Sequence, residues 1–397
     1  MAAGLAVAVV GTAACSSSGA SIEASPPSTA STSGPAGSRA GTSSGSTSGA
    51  SATVFPGAEW DTVDPAVAGM DAARLEAMAE QARSAGSNCL VVTRHGKLVK
   101  EWYWNGKSPD STQEVFSATK SYASALVGIA QAEGKLDIDE PASKYITEWQ
   151  GTPSEPVTIK NLLSNDSGRY YNAATDYVEM AVGAPDKTAF AVGLTQQHPV
   201  GTHWDYNNSA IQTLSRVLEV ATGQEAADYA EEKLLGPIGM ADSTMKKDSS
   251  GGTLTFMGLD STCRDMARFG HLFLQEGSWS GTQVVPSDYV DESTSPSQSL
   301  NPSYGYLWWL NTKGRGAAQA TGAGAGDGDQ ERQLAPGAPE NAFFALGLGN
   351  QHIAVLPDSG VVAVRLGPVN TPGATQTFPP QVIAEMTQAA VSGPPGG

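Results

Sequence analysis

Ser117 and Lys120 stand three positions apart in the stretch Val115-Phe116-Ser117-Ala118-Thr119-Lys120-Ser121-Tyr122-Ala123. That spacing puts both side chains on one face of a helix, one turn from each other. The residues that follow are small or apolar (Ala123, Ala125, Leu126, Gly128, Ile129, Ala130). A helix this apolar is expected to be buried, where an ammonium is costly and the neutral amine is favoured. A serine hydroxyl needs such a basic neighbour to become a nucleophile. The chemistry on offer is attack of Ser117 on a carbonyl, with Lys120 helping to take its proton. The pattern does not stand alone, because Ser243-Thr244-Met245-Lys246 repeats it. The tract after that copy, Lys247 to Gly252, is polar and Gly-rich and reads as a solvated loop, with Lys246 an ordinary surface amine.

The elements that must position this pair run as follows. Folded sequence is expected from Val54. A helix over Asp71 to Ser84 (Leu75, Met78, Ala79, Ala82 inward) leads to a strand at Cys89-Thr93, a tight turn at Arg94-Lys97 and a second strand at Leu98-Trp104. After the Ser117 helix, Val157 to Leu163 opens another helix that ends at Ser167-Gly168. Helices and loops without a strand then follow to about Ala241. Gly201 to Ser209 is a loop ahead of a helix with Ile211, Leu214, Leu218 and Ala221 on its buried face. Ser209 with Gln212 fits a capping box there, as Thr262 with Asp265 does for a helix over Cys263-Phe273. Polar residues beside a helix start need no catalytic role, so Asn207 and Asn208 could be capping residues alone. Tyr304 to Trp309 reads as a buried strand, and Gly314 to Asp329 as a mobile surface insertion. Strands return at Ala342-Leu346, His352-Leu356 and Val361-Leu366, with a turn at Pro357-Gly360 and a closing helix at Gln381-Ala390. Strands at both ends and helices between predict an α/β (α+β type) fold. Its antiparallel sheet is built from N- and C-terminal segments and flanked by helices, with a mostly helical insert at roughly 135–260.

The order of these signals resembles the serine penicillin-recognising hydrolases, in which Ser-x-x-Lys is followed by Tyr-x-Asn and a glycine-ended strand. Within them the chain resembles the class C branch: class C beta-lactamases, D-alanyl-D-alanine carboxypeptidases, family VIII esterases and 6-aminohexanoate-dimer hydrolases. The Asp265-Met266-Ala267-Arg268-Phe269-Gly270 helix, Tyr304-Trp309 and Val364-Arg365-Leu366-Gly367 lean toward the last group. Tyr103-Trp104-Asn105 and Tyr170-Tyr171-Asn172 also fit Tyr-x-Asn, but order and context single out Tyr206-Asn207-Asn208. The resemblance implies a beta-lactamase/DD-peptidase-like fold with Ser117 as the acylated nucleophile. Lys120 and Tyr206 would then share general acid and base work, the phenol losing its proton more easily beside a cation. Asn208 would hold a substrate carbonyl or amide, and the backbone N–H groups of Ser117 and of Leu348, just past Gly347, would form the oxyanion hole. No cofactor or metal is implied, and His198 and His203 are not at a helical ligand spacing. One segment departs. Where penicillin-recognising members carry Lys-Thr-Gly or His-Thr-Gly, this chain reads Ala345-Leu346-Gly347-Leu348-Gly349. Without that cation and hydroxyl, esters or linear amides with uncharged acyl groups are expected ahead of beta-lactams or peptide carboxylates.

The formal net charge of -17 over 397 residues leaves no basic stripe for nucleic acid. No apolar run reaches the roughly 18 residues of a membrane span. The N-terminus is different. Gly4 to Ala14 is a short apolar run closing on Thr12-Ala13-Ala14-Cys15, which resembles a bacterial lipoprotein signal with lipidation at Cys15. It departs from one in having no basic residue before the apolar run and a threonine where leucine is usual. Residues 1–14 would be the signal, 15–53 a Ser/Gly/Ala/Thr/Pro tether and 54–397 the hydrolase domain. Gly41-Thr42-Ser43-Ser44-Gly45 in that tether matches a nucleophile elbow only by composition. Export would leave Cys89 and Cys263 as an even pair, either disulfide-bonded or two buried thiols. The sequence therefore predicts an exported, lipid-anchored serine hydrolase acting on a small ester or amide. The membrane is met only through that anchor. A carboxypeptidase or beta-lactamase of the same fold is the alternative enzyme. A non-catalytic binder of cell-wall peptide is the alternative of another class.

Overall fold

Six antiparallel strands carry the architecture: β1 (Cys89–Arg94), β2 (Lys97–Tyr103), β3 (Trp309–Leu310), β4 (Phe343–Gly347), β5 (Gln351–Leu356) and β6 (Val361–Leu366). Their spatial order is β2-β1-β6-β5-β4-β3. The computed structural model describes residues 54–314, 331–369 and 378–394. Cys15, the Ser/Gly/Ala/Thr/Pro tract and all of the Gly314–Asp329 stretch beyond Gly314 lie outside the described residues. The sheet is assembled from both ends of the folded chain, since β1 pairs with β6 from Cys89↔Leu366 to Arg94↔Val361. β1, β5 and β6 are buried at every residue, which is why apolar residues dominate them without alternation. The β1–β2 turn holds His95 at φ 48° and Gly96 at φ 80°, the paired positive values that a two-residue hairpin needs.

Helices cover both faces of the sheet. α1 (Ala72–Ser84) starts where the Asp71 carboxylate accepts the N–H groups of Ala73 and Arg74. It packs against the last helix, Pro380–Ala390. The opposite face is covered by the helix Cys263–Leu274, whose Gly270 sits so close to the sheet that a Cβ there would lie 2.5 Å from Val362 and 2.9 Å from Ile353. Neighbouring His352 points the other way, its Nε2 3.0 Å from the Phe378 carbonyl, as strand alternation requires. Thr262 caps the Cys263 helix by accepting the Asp265 N–H. The Asp265 carboxylate, however, takes the Ser243 hydroxyl and the Asp242 N–H. The Cys89 and Cys263 sulfurs are 1.93 Å apart, a disulfide joining β1 to this helix. α2 (Thr119–Ala132), the helix after Ser117, is buried from Thr119 through Ala130. The mostly helical region lies between β2 and β3.

Several expectations need correction. The Val157–Leu163 helix begins at Ile159 and ends at Ser164, because Asn165 turns to φ 60°. Tyr304 to Trp309 is buried but only Trp309 joins the sheet. Leu307 adopts φ 60° and is held by the Ser121 hydroxyl on its carbonyl and by the Leu163 carbonyl on its N–H. Ser209 and Gln212 form no capping box: the cap is Asn207, whose side chain accepts the Ala210 N–H at 2.8 Å. Lys247 to Gly252 is the exposed turn expected, but the second Ser-x-x-Lys ahead of it is not left free, and Lys246 is no ordinary surface amine. Ser243 is buried against Ser261 and Asp265, and Lys246 pairs with Asp260 (2.8 Å) and Glu114 (3.3 Å). Thr244–Met245, Gln113–Glu114 and Leu259–Ser261 form a small three-stranded sheet too short to show as a pattern.

Candidate active site

Ser117 lies in a 3-10 turn, Phe116–Ala118, that runs straight into α2. Phe116 has φ 49°, a left-handed conformation that costs a bulky L-residue about 1–2 kcal/mol. The turn is pinned from both sides: Val115 N–H donates to the Leu259 carbonyl, while the Thr119 hydroxyl donates to Phe116 and accepts from the Leu259 N–H. Such strain persists only where surroundings enforce it, and here it sets Ser117 at the mouth of a buried helix.

Lys120, one turn on, is 1% exposed and has no ion pair among the described residues. Its Nζ donates to Ser117 Oγ at 2.8 Å and to the Phe256 carbonyl at 2.8 Å. Burial pulls the ammonium down to about 7, against the charge of Asp176, which pushes it up. Tyr206 completes the group, its ring 4.8 Å from Lys120 Nζ and 5.4 Å from the Trp309 ring. Burial pushes the phenol's pKa up, eased by the Ser117 hydroxyl and Trp309 beside it. This is opposite to the easier ionisation expected beside a cation, because the cost of burying a phenolate outweighs any help from an amine held near 7. Geometry thus gives a neutral amine touching the serine oxygen and a protonated phenol next to both. That arrangement suits an acceptor for the serine proton and a donor for a leaving group.

Tyr206 and Asn208 are held where the chain enters α3 (Asn208–Gln212). Asn165 accepts the Asp205 and Asn207 N–H groups on its carbonyl and side-chain oxygens, and the Asn207 amide donates to the Arg169 and Tyr170 carbonyls. Asp176 takes the Asn208 N–H at 3.1 Å and its Nδ2 at 2.7 Å. A carboxylate can only accept, so Asn208 must present its Nδ2 to Asp176. Its Oδ1 is then left buried without a hydrogen-bond partner among the described residues. With its Nδ2 engaged by Asp176, Asn208 has its Oδ1 left to offer, an acceptor suited to an N–H, with the Tyr177 phenol beside it.

Gly347 and Leu348 stand at the opposite lip. A Cβ on Gly347 would lie 2.0 Å from the Val115 carbonyl oxygen, so only glycine lets the end of β4 run beside the nucleophile turn. Leu348 is 53% exposed. Of the other Tyr-x-Asn matches, Tyr103 binds Glu101 on the sheet, and Tyr170 is half-buried, its backbone N–H donating to the Thr195 carbonyl. His198 and His203 stack at 3.6 Å beside the Tyr206 loop, and no group of three or more His, Cys, Asp or Glu able to hold a metal occurs among the described residues. Sequence reasoning missed Asp176, Asn165 and Arg169. No periodic or spaced signal marks them, because each acts through a turn built by tertiary contact.

Comparison with known proteins bears on the fold and the family. The beta-lactamase family model matches residues 69–385. The 6-aminohexanoate-dimer hydrolase of Paenarthrobacter ureafaciens is 24% identical over 64% of this chain and 73% of its own length. Among solved structures, a Bacillus anthracis protein assigned as a 6-aminohexanoate-dimer hydrolase superposes with TM-score 0.65 at 22% identity, covering 84% of this chain and 86% of its own. A family VIII carboxylesterase superposes with TM-score 0.58 at 15% identity, covering 80% and 96%. With the matched region spanning most of the folded sequence and the antiparallel sheet, helices and Ser117 turn in place, the chain belongs to the beta-lactamase family of hydrolases.

Proposed function

We propose that the chain is an extracytoplasmic serine hydrolase of esterase or amidase type that works through an acyl-enzyme on Ser117. The observation that carries this is the 2.8 Å contact between Ser117 Oγ and a buried Lys120 amine whose pKa sits at about 7. In acylation, Ser117 Oγ bonds to the carbonyl carbon while its proton passes to the neutral Lys120 Nζ and the carbonyl π electrons move onto oxygen. The backbone N–H groups of Ser117 and Leu348 receive that oxyanion. Collapse expels the alcohol or amine, protonated through Tyr206, and water repeats the sequence on the acyl-enzyme.

Uncharged acyl groups are favoured because Ala345 and Leu346, in place of a cation and hydroxyl, are apolar and buried. The open acceptor on Asn208 favours a substrate that brings an N–H, as a linear amide does. The 6-aminohexanoate-dimer hydrolase relative, by its name, cleaves one. Export is supported by the Cys89–Cys263 disulfide, which is stable in oxidising compartments, and lipid anchoring by the Thr12-Ala13-Ala14-Cys15 sequence. A fluorophosphonate probe should label Ser117, and short p-nitrophenyl esters and anilides should be hydrolysed by the wild type but not by Ser117→Ala. Absence of an adduct, with cell-wall peptide bound but not cut, would instead establish the non-catalytic binder.

A further inference from the structure

Asp176 is unlike every other carboxylate among the described residues in its setting. It is 1% exposed, lies in the π-helical turn Thr175–Gly183, and accepts four hydrogen bonds from one neighbouring turn. Oδ2 receives the Asn208 N–H (3.1 Å) and Nδ2 (2.7 Å), and Oδ1 receives the Ser209 N–H (2.7 Å) and hydroxyl (2.7 Å). No lysine or arginine pairs with it among the described residues, and the bonds that compensate its burial come from neutral donors. Charge-assisted bonds of this kind are short and orienting, and all four hold the residues directly after Tyr206.

The same carboxylate is felt by four titratable groups around the site. It acts on Lys120 from α2, on Tyr206 ahead of α3, and on Tyr171 and Tyr177 from its own side of the cleft. Among the described residues it is the one charged side chain that bears on Lys120. Lys120 has no contact ion pair, so the charge it gains when Ser117 attacks must be balanced at a distance.

We propose that Asp176 is a positioning residue for the Ser117 reaction, clamping Tyr206 and Asn208 through the first turn of α3 and supplying the fixed negative charge against which Lys120 takes up the serine proton. This rests on the hydrolase function proposed above. Asp176 touches neither substrate nor serine; it acts through Asn208, Ser209 and the field at Lys120.

Two variants and a pH profile test it. Asp176→Asn keeps size but removes the charge and one pair of acceptor bonds. Its kcat on a p-nitrophenyl ester should fall by about 10–100-fold, the loss expected when reacting groups shift by about 1 Å, with KM changed less than about threefold. Its acid limb in kcat/KM should move to lower pH, because the group that holds the Lys120 pKa up is gone. Asp176→Glu keeps the charge but displaces the clamp, so kcat should fall while the acid limb stays where the wild type has it. A merely structural residue would lower both variants alike without moving the limb. An unmoved limb in Asp176→Asn overturns the proposal. If Asp176→Asn does not fold, Asp176→Glu with wild-type kcat overturns it. A wild type without hydrolysis would instead sink the hydrolase function itself, so the two failures are distinguishable.

Discussion

The pH dependence of ester hydrolysis is the most direct check on how this site works. Burial brings the Lys120 amine from 10.5 to about 7, so about half of it is neutral at pH 7. An amine with the ordinary value would be neutral about once in 3,000 molecules. The fold therefore raises the population of competent base by on the order of 10³, equivalent to about 4 kcal/mol of barrier. Because the deprotonated amine is the active form, kcat/KM should rise about tenfold per pH unit below 7 and level off above it. The same burial has an opposite effect on stability. The unfolded chain binds the extra proton between about pH 7 and 10.5, so stability rises with pH through that window, and below it the fold carries a deficit of about 5 kcal/mol. Lys120→Met removes that deficit but strands the Phe256 carbonyl, a loss of about 1–3 kcal/mol. The variant should be inactive and, at about pH 6, about 2 kcal/mol more stable by urea denaturation. The assay is p-nitrophenyl acetate hydrolysis from about pH 5 to about pH 9, beside unfolding curves of both proteins. A flat profile between about pH 6 and 8, or a less stable Lys120→Met, would refute the assignment of a neutral buried amine.

Three further outcomes follow from particular contacts. Tyr206→Phe should lower kcat by about 10²–10⁴ with KM little changed, since the phenol acts as proton donor and not as a binding group; steady-state kinetics on esters would check it. Gly347→Ala drives a Cβ to 2.0 Å from the Val115 carbonyl, so it should abolish esterase activity and cost at least about 1–3 kcal/mol in denaturant titration. Reducing the Cys89–Cys263 disulfide frees a link spanning 174 positions and should cost about 2–5 kcal/mol by urea unfolding with and without reductant, leaving the esterase assay in native buffer nearly unchanged.

What the sequence made legible was whatever repeats or is locally coded. The buried strands Cys89–Arg94 and Val361–Leu366, the capped α1 helix and the Ser117–Lys120 turn all carry their own pattern, and they stand close to where pattern placed them. Tyr206 was legible only through its order relative to Ser117, because its neighbours Asn165, Arg169 and Asp176 reach it from sequence-distant turns. Tyr304 to Trp309 misled for the same reason. Its apolar run satisfies a core, but the hydrogen bonds from Ser121 and Leu163 bend it into a turn. Ser209 looked like a capping partner until a buried carboxylate from another segment outcompeted the local bond. Short-range chemistry is written in the chain, while competition between a local and a distant partner is decided only by the fold.

The pairing of β1 with β6 bears on when this molecule can exist at all. Its middle strands come from opposite ends of the folded sequence, from Cys89↔Leu366 to Arg94↔Val361, so the nascent chain has no sheet to complete until nearly its last residues have emerged. Contacts this far apart along the backbone make folding slow and late. A chain cut short before Val361 therefore leaves β1 without its inner partner, however much of the helical region has already formed.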